Sequence, residues 1–305
     1  MAQEIAARDA PRDKPIHATL NLPPSTLEVS MPAPSSLTEW NASVRFRDAR
    51  LRRKWSQAEL ARELNLSPAT IANWEHRRSQ PHSSQIEKIC DVLGIKGEIK
   101  AFLYRLALAD SSHNIELTPR ENALCLALAE LHYGSIWKWE PLILPGITQV
   151  RAYQEQILKV VEELTEQLSR FGWTFKKERQ SELKQRRTKY RMSILIGSSV
   201  FFHLKDMELA DRREQVEYLR ECNAREGWEI RVMHSASTLP GPFEVYVPGD
   251  SPTAGPPFVY TEIHDLSWCI EERDRVQAYH ELIKKNWKHA TPLKEFLDAE
   301  RDRLA

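Results

Sequence analysis

The sequence contains no run of about 18 or more apolar residues, the length that a helix needs to span a bilayer. Residues 1–4 also lack the basic region and the apolar stretch with which a secretory signal begins. We therefore expect a soluble, cytoplasmic protein that has no membrane partner.

Cysteine is scarce, and the spacing of the cysteines does not indicate a metal site or a redox disulfide. The four cysteines lie tens of residues apart, at Cys90, Cys125, Cys222 and Cys269. No C-x-x-C pair for a metal or a redox disulfide can be drawn from them. We expect buried free thiols.

The sequence also lacks the common enzyme motifs: it has no P-loop, no G-x-S-x-G and no paired Cys/His cluster. The nearest approach is His280-Glu281, which begins like the helix of a zinc protease, but Lys284 stands where the second histidine must be. We expect no catalytic residue, no metal and no cofactor, and therefore not an enzyme.

Charge is balanced overall and uneven along the chain. The formal net charge is zero, yet residues 38–96 hold 11 Lys/Arg and only 7 Asp/Glu. Residues 97–305, by contrast, hold 29 basic and 32 acidic side chains. This local excess of positive charge predicts that one part of the chain alone meets phosphate.

Composition divides the chain into three parts. Residues 1–36 carry six prolines and no sustained periodicity, which predicts a disordered tail. Helical spacing with short gaps predicts a first domain at 37–109, and the remainder, 110–305, predicts a larger α+β domain. The predicted fold is mainly α, with helices plus a small sheet in the second domain.

In the second domain, the patterns predict both helices and strands. The predicted helices are 118–133, 147–169, 174–192, 208–226, 271–287 and 291–303, and the pattern of the second allows an interruption. The predicted strands are Ile194–Phe202, Trp228–His234, Phe243–Val247 and Phe258–Ile263. The stretch Lys176–Arg191 holds eight Lys/Arg and two Glu. It indicates a solvated helical face, or alternatively a surface for DNA backbone or an acidic partner.

The first domain contains two short helices that abut. Ser56 followed by Glu59 is a capping box, so a helix begins at Gln57. Asn65 can adopt the left-handed conformation that ends it. Ser67 and Pro68 then open a second helix as N-cap and first helical residue. Two helices joined by such a tight turn are typical of the helix-turn-helix, whose second helix fits the major groove.

Flanking segments complete a compact bundle of four or five helices. Apolar positions around Phe46 and Ala49 predict a preceding helix, and those around Ile86 and Ile89 predict a following one. Basic side chains crowd the preceding helix at Arg45, Arg47, Arg50, Arg52, Arg53 and Lys54. Basic residues beside a recognition helix are where phosphates pass.

At these residues the segment resembles the Cro/C1-type (Xre) family of repressors and implies a lambda-repressor-like bundle. The matching positions are Arg50, Ser56-Gln57, Glu59-Leu60-Ala61, Ile71, Trp74-Glu75 and Pro81. Lys54 replaces a glycine common in the family. Pro68 and Ala69 stand where relatives often carry long polar side chains.

The resemblance implies roles for individual residues. Base contacts would come from the helix 68–76 and its N-cap, at Ser67, Ala69, Thr70 and Asn73. Phosphate contacts would come from Gln57, Arg77 and Arg78. Arg50 and Glu75 would form an internal ion pair. Ala69 could touch only a thymine methyl, which leaves Asn73 as the best hydrogen-bonding reader.

The second domain is similar to a domain of unknown function that follows the Xre domain in many actinobacterial regulators, the WhiJ-like proteins. The similarity lies in Trp139-Glu140-Pro141, Leu144–Gln149, Tyr153, Arg179-Gln180, Arg213–Gln215, Leu219, Gly241–Phe243 and Phe258–Glu262. An acidic residue usual in relatives is missing near Ser198-Ser199. The resemblance implies regulators that often act with a small partner protein encoded nearby.

Together these features predict a sequence-specific regulator that binds double-stranded DNA, as a homodimer. The second domain would mediate dimerisation, partner binding or ligand sensing. The alternative is a protein-interaction scaffold or antitoxin-like inhibitor that uses the bundle for protein contact. Salt dependence separates the two, because a DNA reader loses affinity steeply as salt rises.

Overall fold

The computed structural model describes residues 36–108, 114–234, 239–263 and 266–300. The predicted tail lies outside these ranges except for Ser36, and so does the predicted domain boundary between residues 109 and 110. The described residues all fall in one compact unit. Within them, no helix combines the length and apolar character that crossing a bilayer requires.

The first part of the chain is the predicted helical bundle, with five helices. They are α1 (Leu37–Arg52), α2 (Gln57–Leu64), α3 (Pro68–Glu75), α4 (Ser83–Leu93) and α5 (Gly97–Leu108). Leu60, Ile71 and Trp74 pack in its core with Ile86 and Ile89 from α4. These side chains recur at helical spacing, so each helix buries one apolar stripe.

Capping residues fix the ends of the helix-turn-helix unit as predicted. Ser56 Oγ accepts the Glu59 N–H at 3.1 Å, and the Glu59 carboxylate accepts the Ser56 N–H at 2.6 Å. Asn65 ends α2 with a left-handed φ of 58°. Ser67 caps α3, and Pro68 lies in its first turn. The predicted pair of abutting helices is confirmed.

The loop between α1 and α2 has an unusual backbone conformation at Lys54. The backbone there has a φ of 58°, in the left-handed region. Glycine adopts this region without a steric clash and Asn or Asp tolerates it, whereas a lysine is strained there by about 1–2 kcal/mol. Lysine therefore occupies a turn that favours glycine.

The second part of the chain is built on an eight-stranded mixed sheet. Its strands are β1 (Asn114–Leu117), β2 (Ser135–Glu140), β3 (Arg191–Gly197), β4 (Trp228–Met233), β5 (Phe243–Val247), β6 (Phe258–Ile263), β7 (Leu266–Ile270) and β8 (Thr291–Pro292). Their order is β1-β7-β6-β5-β2-β3-β4-β8. Strands β2, β3 and β4 are mutually parallel, and the other neighbours pair antiparallel.

Helices cover both faces of the sheet. They are α6 (Pro119–His132), α7 (Arg151–Tyr153), α8 (Lys159–Val161), α9 (Glu166–Gln185), α10 (Val200–His203), α11 (Leu209–Asn223), α12 (Arg273–Trp287) and α13 (Leu293–Ala299). Successive side chains of a strand face opposite sides. Accordingly Ile136 of β2 packs in the larger core, whereas Trp137 and Trp139 pack on the other face with Ile283 of α12. The predicted α+β class is confirmed.

The sheet is larger than the predicted small sheet, and several boundaries differ. Strands β1, β2, β7 and β8 were not predicted. The predicted helix 174–192 ends at Gln185, and Arg191 begins β3. The predicted strand Ile194–Phe202 ends at Gly197. The chain passes close to Pro141 there, because a Cβ on residue 197 would lie 2.4 Å from the Pro141 carbonyl oxygen. The predicted helix 147–169 has the interruption allowed for it: α7, a π turn at Gln154–Leu158 and α8 run continuously from Arg151 to Val161, and α9 begins at Glu166.

All four cysteines are free and buried, as predicted. Burial raises the pKa of the Cys90 and Cys222 thiols to about 11. Since the thiolate is the reactive form, burial makes these groups poor nucleophiles at neutral pH.

Helix α1 joins the two parts because it contributes to two hydrophobic cores. Phe46 and Ala49 pack inside the helical bundle. Leu37, Trp40 and Val44, on the other side of the helix, pack in the larger core of the sheet. A helix with apolar side chains on two faces lies between two layers. The bundle is therefore packed directly against the sheet.

Polar contacts cross the same junction. The Trp40 indole N–H donates to the Thr253 carbonyl at 2.9 Å, and Arg45 Nη2 donates to the Leu124 carbonyl at 2.8 Å. Burial lowers the pKa of the Arg45 guanidinium to about 10. Arg45 thus belongs to the junction, although its place in the basic first helix predicted a position beside phosphate.

A carboxyl group at this junction makes stability depend on pH. Glu271 Oε2 accepts the Leu37 N–H at the start of α1, at 2.7 Å. Burial, assisted by the charge of Glu39, raises the pKa of Glu271 from the ordinary 4.5 to about 7. The folded state therefore holds this proton more tightly than the unfolded chain does. The stability that Glu271 contributes is complete below about pH 4.5 and is lost as pH rises to about 7.

We expect the substitution Glu271→Gln to raise the free energy of unfolding at pH 8 by about 1–2 kcal/mol, because glutamine accepts the same hydrogen bond without a buried charge. Urea denaturation at pH 4.5 and pH 8 measures the effect. The exposed Glu214→Gln is the matched control and should behave as wild type at both values. Equal stability of Glu271→Gln and wild type at pH 8 would contradict the assignment.

Candidate nucleic-acid interface

Helix α3 presents its predicted reading positions to solvent. Ser67, Pro68 and Ala69 are exposed, and Thr70 and Asn73 are half-buried. The apolar residues of α3 turn the other way into the bundle, so the helix is amphipathic across its short length. The surface is open along the first two turns, which is the part of a recognition helix that meets base edges.

The polar side chains on this surface differ in whether they already form hydrogen bonds within the protein. Ser67 Oγ accepts the Thr70 N–H at 3.1 Å and lies 2.9 Å from Thr70 Oγ1. These two hydroxyls therefore satisfy each other and the start of the helix. The Asn73 amide has no hydrogen-bond partner among the described residues. It is the most available donor and acceptor on the helix.

The ion pair implied by the family resemblance is present behind α3. Arg50 Nε lies 2.6 Å from Glu75 Oε1, and Arg50 Nη2 lies 2.8 Å from Glu75 Oε2. The exposed fractions of the two side chains are 9% and 4%. Arg50 Nη1 also donates to the Trp55 carbonyl at 2.5 Å. The bidentate geometry ties α1 to the end of α3 and to the loop before α2.

Gln57, predicted to contact phosphate, is a third member of this arrangement. Its Nε2 donates to Glu75 Oε2 at 2.8 Å. The side chain is therefore directed to the ion pair. The backbone N–H of Gln57 lies in the first turn of α2, where helix geometry provides no internal partner. That N–H, at the positive end of the helix dipole, can bind a phosphate oxygen.

Arg77 and Arg78, the other predicted phosphate contacts, differ from each other. Arg77 has a left-handed φ of 59° and is half-buried. Its Nη1 donates to the Ala254 carbonyl, 2.9 Å away in the second part of the chain. Arg78 is exposed, and its side chain has no partner in the described part of the chain. The structure therefore leaves Arg78 available to phosphate and directs Arg77 to the junction.

The second part contains a buried ionic cluster that sequence reasoning did not find. Lys138 Nζ lies 2.9 Å from Glu130 Oε1 and 2.5 Å from Glu244 Oε2. Arg179 Nη2 lies 2.6 Å from Glu130 Oε1. Burial opposes ionisation, but Arg179 and Lys138 lower the pKa of Glu130, and Glu130 and Glu244 raise the pKa of Lys138. Each of the four groups has an ion-pair partner within the cluster.

Gln180 and Gln215, which belong to the segments that resemble WhiJ-like proteins, form a buried amide network. Gln215 Nε2 donates to the Thr148 carbonyl at 2.8 Å, and Gln215 Oε1 accepts the Val150 N–H at 2.9 Å. Gln180 Nε2 donates to the Gly146 and Gln149 carbonyls at 3.0 and 2.9 Å. These side chains satisfy the backbone of the loop 144–150, so they hold it in one conformation.

The basic stretch Lys176–Arg191 is only partly the solvated face that its charge predicted. Lys176 Nζ donates to Gln149 Oε1 and Gln154 Oε1 at 2.7 and 2.6 Å, and burial lowers its pKa to about 8. Arg186 donates to the Glu130 and Tyr133 carbonyls at 2.5 and 2.8 Å. The sequence showed that basic residues are dense in this stretch, but it did not show which of their side chains are buried in the protein.

The bundle and the exposed helix α3, which is the second helix of the helix-turn-helix unit, define the class of protein: a helix-turn-helix DNA-binding regulator. The family described as "Helix-turn-helix" matches residues 46–99. The family described as "Domain of unknown function (DUF5753)" matches residues 126–298, more than half of the chain. The chain therefore belongs to the DUF5753 family and carries a helix-turn-helix domain before it.

Comparison with curated proteins finds no match. Among solved structures, the chain is similar to one titled "Structure of TrmBL2, an archaeal chromatin protein, shows a novel mode of DNA binding". The identity is 13% and the TM-score is 0.29, over 74% of this chain and 71% of that one.

Proposed function

We propose that the protein is a sequence-specific transcription regulator that inserts the helix 68–76 into the major groove of duplex DNA. The observation that carries this proposal is the orientation of α3, which buries Ile71 and Trp74 and exposes Ala69 at the position of a base reader. An α-helix of this kind fits the width of the major groove. We propose that the protein binds DNA without catalysing a reaction.

Direct readout would rest on few groups. Asn73 has both an amide donor and an acceptor, which match the N6 and N7 positions of adenine. Ala69 offers a methyl group for the methyl of thymine. Ser67 and Thr70, which bond each other, can add hydroxyl contacts without leaving their place at the start of α3.

Phosphate contacts would flank this helix. Arg78 has a free guanidinium, and Gln57 has a free N–H in the first turn of α2. Arg77 would contribute chiefly by holding the end of α3 against the second part of the chain. Contacts of this kind fix the register of a protein on the duplex and carry no sequence information directly.

Asn73→Ala is the test of base reading. We expect it to weaken binding to a preferred site, selected from random DNA, by about 1–3 kcal/mol and to spare non-specific DNA. Electrophoretic or fluorescence titration of both duplexes measures the difference. The matched control is Asn286→Ala on α12, far along the chain from the bundle. Equal losses of Asn73→Ala on both duplexes would reject the base-reading role.

We further propose that the second domain mediates dimerisation, partner-protein binding or ligand sensing in the cytoplasm. A symmetric dimer would bind two half-sites about 34–36 Å apart, one helical turn of DNA. Sedimentation of the protein alone, with a selected duplex, and with the small protein encoded nearby tests the first two roles. Affinity for DNA that is independent of salt would instead favour a protein-interaction scaffold.

A further inference from the structure

A large open cleft lies where the parallel strands β2, β3 and β4 begin. Its volume is about 1270 Å³. Six basic side chains line it: Lys184, Arg186, Arg187, Lys189, Arg191 and Arg225. Three acidic side chains also line it, Glu221, Glu226 and Asp250, so the lining carries a net charge of +3. We refer to it as the basic cleft.

Most of these cations are unpaired. Lys184, Arg187, Lys189 and Arg191 are exposed, and none of them has a carboxylate within ion-pair distance in the residues that the structure describes. Elsewhere many surface cations are paired, as Arg120 is with Glu98. Clustered like charges repel one another, so a ligand of opposite charge would be bound favourably.

The cleft is also fixed in shape. The Arg186 guanidinium lies 4.0 Å from the centre of the Tyr190 ring, and the Trp228 indole donates to the Tyr190 hydroxyl at 2.7 Å. Gly227 has a φ of 80°, and a Cβ there would lie 2.2 Å from the Tyr190 carbonyl oxygen. The segment that carries the cations is therefore positioned before any ligand binds, which lowers the entropic cost of binding.

The basic cleft is continuous with the helix-turn-helix bundle. Arg186 on its wall donates to the Tyr133 carbonyl at 2.8 Å, and the Tyr133 ring packs against Trp40 of α1 at 5.2 Å. Ser251 lines the cleft, and three residues later Ala254 accepts the hydrogen bond from Arg77 at the end of α3. A continuous set of contacts thus connects the cleft to α3.

We propose that the basic cleft binds the sugar-phosphate backbone of the same duplex whose bases α3 reads, at positions flanking the core site. This inference rests on the proposed function. Small-molecule sites are mostly apolar and occupy about 300–1000 Å³, whereas this cleft is larger and lined by cations. Unpaired lysine and arginine side chains on a fixed surface bind phosphate independently of sequence.

The triple variant Arg187→Gln, Lys189→Gln, Arg191→Gln tests the proposal, because all three side chains are exposed and the fold should persist. On a long duplex that contains the selected site and its flanks, we expect affinity to fall by about 10- to 100-fold. The slope of log K against log salt should shrink by about 0.9 for each phosphate lost. On a duplex trimmed to the core site, affinity should remain that of wild type.

The matched control is Lys284→Gln, Lys285→Gln, Lys288→Gln, which removes three exposed cations from and beside α12. It should bind both duplexes as wild type does. Wild-type affinity and slope of the cleft variant on the long duplex would overturn the proposal. The proposal would also be overturned if the cleft variant bound polyglutamate, a model of an acidic protein, more weakly than wild type while its DNA binding stayed unchanged. That result would identify the cleft as a site for an acidic protein.

These outcomes are distinct from failure of the proposed function. If the helix-turn-helix does not read bases, the wild-type protein binds selected and random duplexes equally, and Asn73→Ala changes nothing. If only the cleft proposal fails, the wild-type protein discriminates between the duplexes and the cleft variant does so equally well. Hydroxyl-radical footprinting adds a direct readout, since the cleft variant should lose protection on the flanks and keep it at the core.

Discussion

Replacing Glu75 by alanine is expected to lower the free energy of unfolding by about 3–5 kcal/mol. The substitution leaves the Arg50 guanidinium buried with only the Trp55 carbonyl as partner. It also removes the acceptor of Gln57 Nε2. A buried charge without a counter-charge costs far more than the pair contributed, and the loss falls on the contact between α1 and α3.

Urea denaturation followed by circular dichroism measures this effect. The control Glu63→Ala removes an exposed carboxylate from α2 and should change stability by less than about 0.5 kcal/mol. The double variant Arg50→Met, Glu75→Leu removes both charges and should recover much of the loss, because apolar side chains of similar size need no counter-charge. A double variant no more stable than Glu75→Ala would show that the unpaired Arg50 charge does not cause the loss of stability.

Sequence reasoning predicted the helix-turn-helix well because its signals are local. The capping box of Ser56 and Glu59, the left-handed Asn65 and the Ser67-Pro68 start all act within a few residues. Each fixes a helix end by a hydrogen bond or a backbone angle that does not depend on distant contacts. The position of the exposed face of α3 then follows from the buried positions Ile71 and Trp74.

Strand β2 was missed because its key contact is distant in sequence. Lys138 interrupts the apolar run of Ser135–Glu140, and a lysine there indicates an exposed position. In the structure it is buried by Glu244, 106 residues away along the chain, and by Glu130 on α6. No local sequence pattern predicts that two carboxylates will pair with a lysine inside a core.

The same reason explains Arg77. Its position just after the recognition helix predicts a phosphate contact, and only the fold brings Ala254 to it across 177 residues. Arg45 is a parallel case, since its partner Leu124 is 79 residues away. Charge density along the sequence therefore showed where basic residues concentrate. It could not separate the cations that meet solvent from those that hold the two parts together.

The junction itself is tested by Trp40→Ala. The Trp40 side chain is 0% exposed, and its ring packs edge-on against Tyr133 at 5.2 Å. Removing a buried tryptophan costs about 3–5 kcal/mol, through lost transfer energy and the cavity left behind. The loss should concentrate on the bundle, because Leu37 and Val44 then hold α1 to the sheet without their largest neighbour.

Hydrogen exchange resolves where the stability is lost. We expect amide protons of α2 and α3 to lose protection in Trp40→Ala, while those of β3 keep most of theirs. Gly255→Ala is an independent probe of the same contact, because its Cβ would lie 2.5 Å from Trp40 Cγ and push the ring away. The control Trp268→Ala removes a tryptophan that is 38% exposed on β7 and should leave the bundle unchanged. Uniform loss of protection over α2, α3 and β3 would mean that the bundle and sheet unfold as one unit, and that Trp40 stabilises the whole rather than the junction.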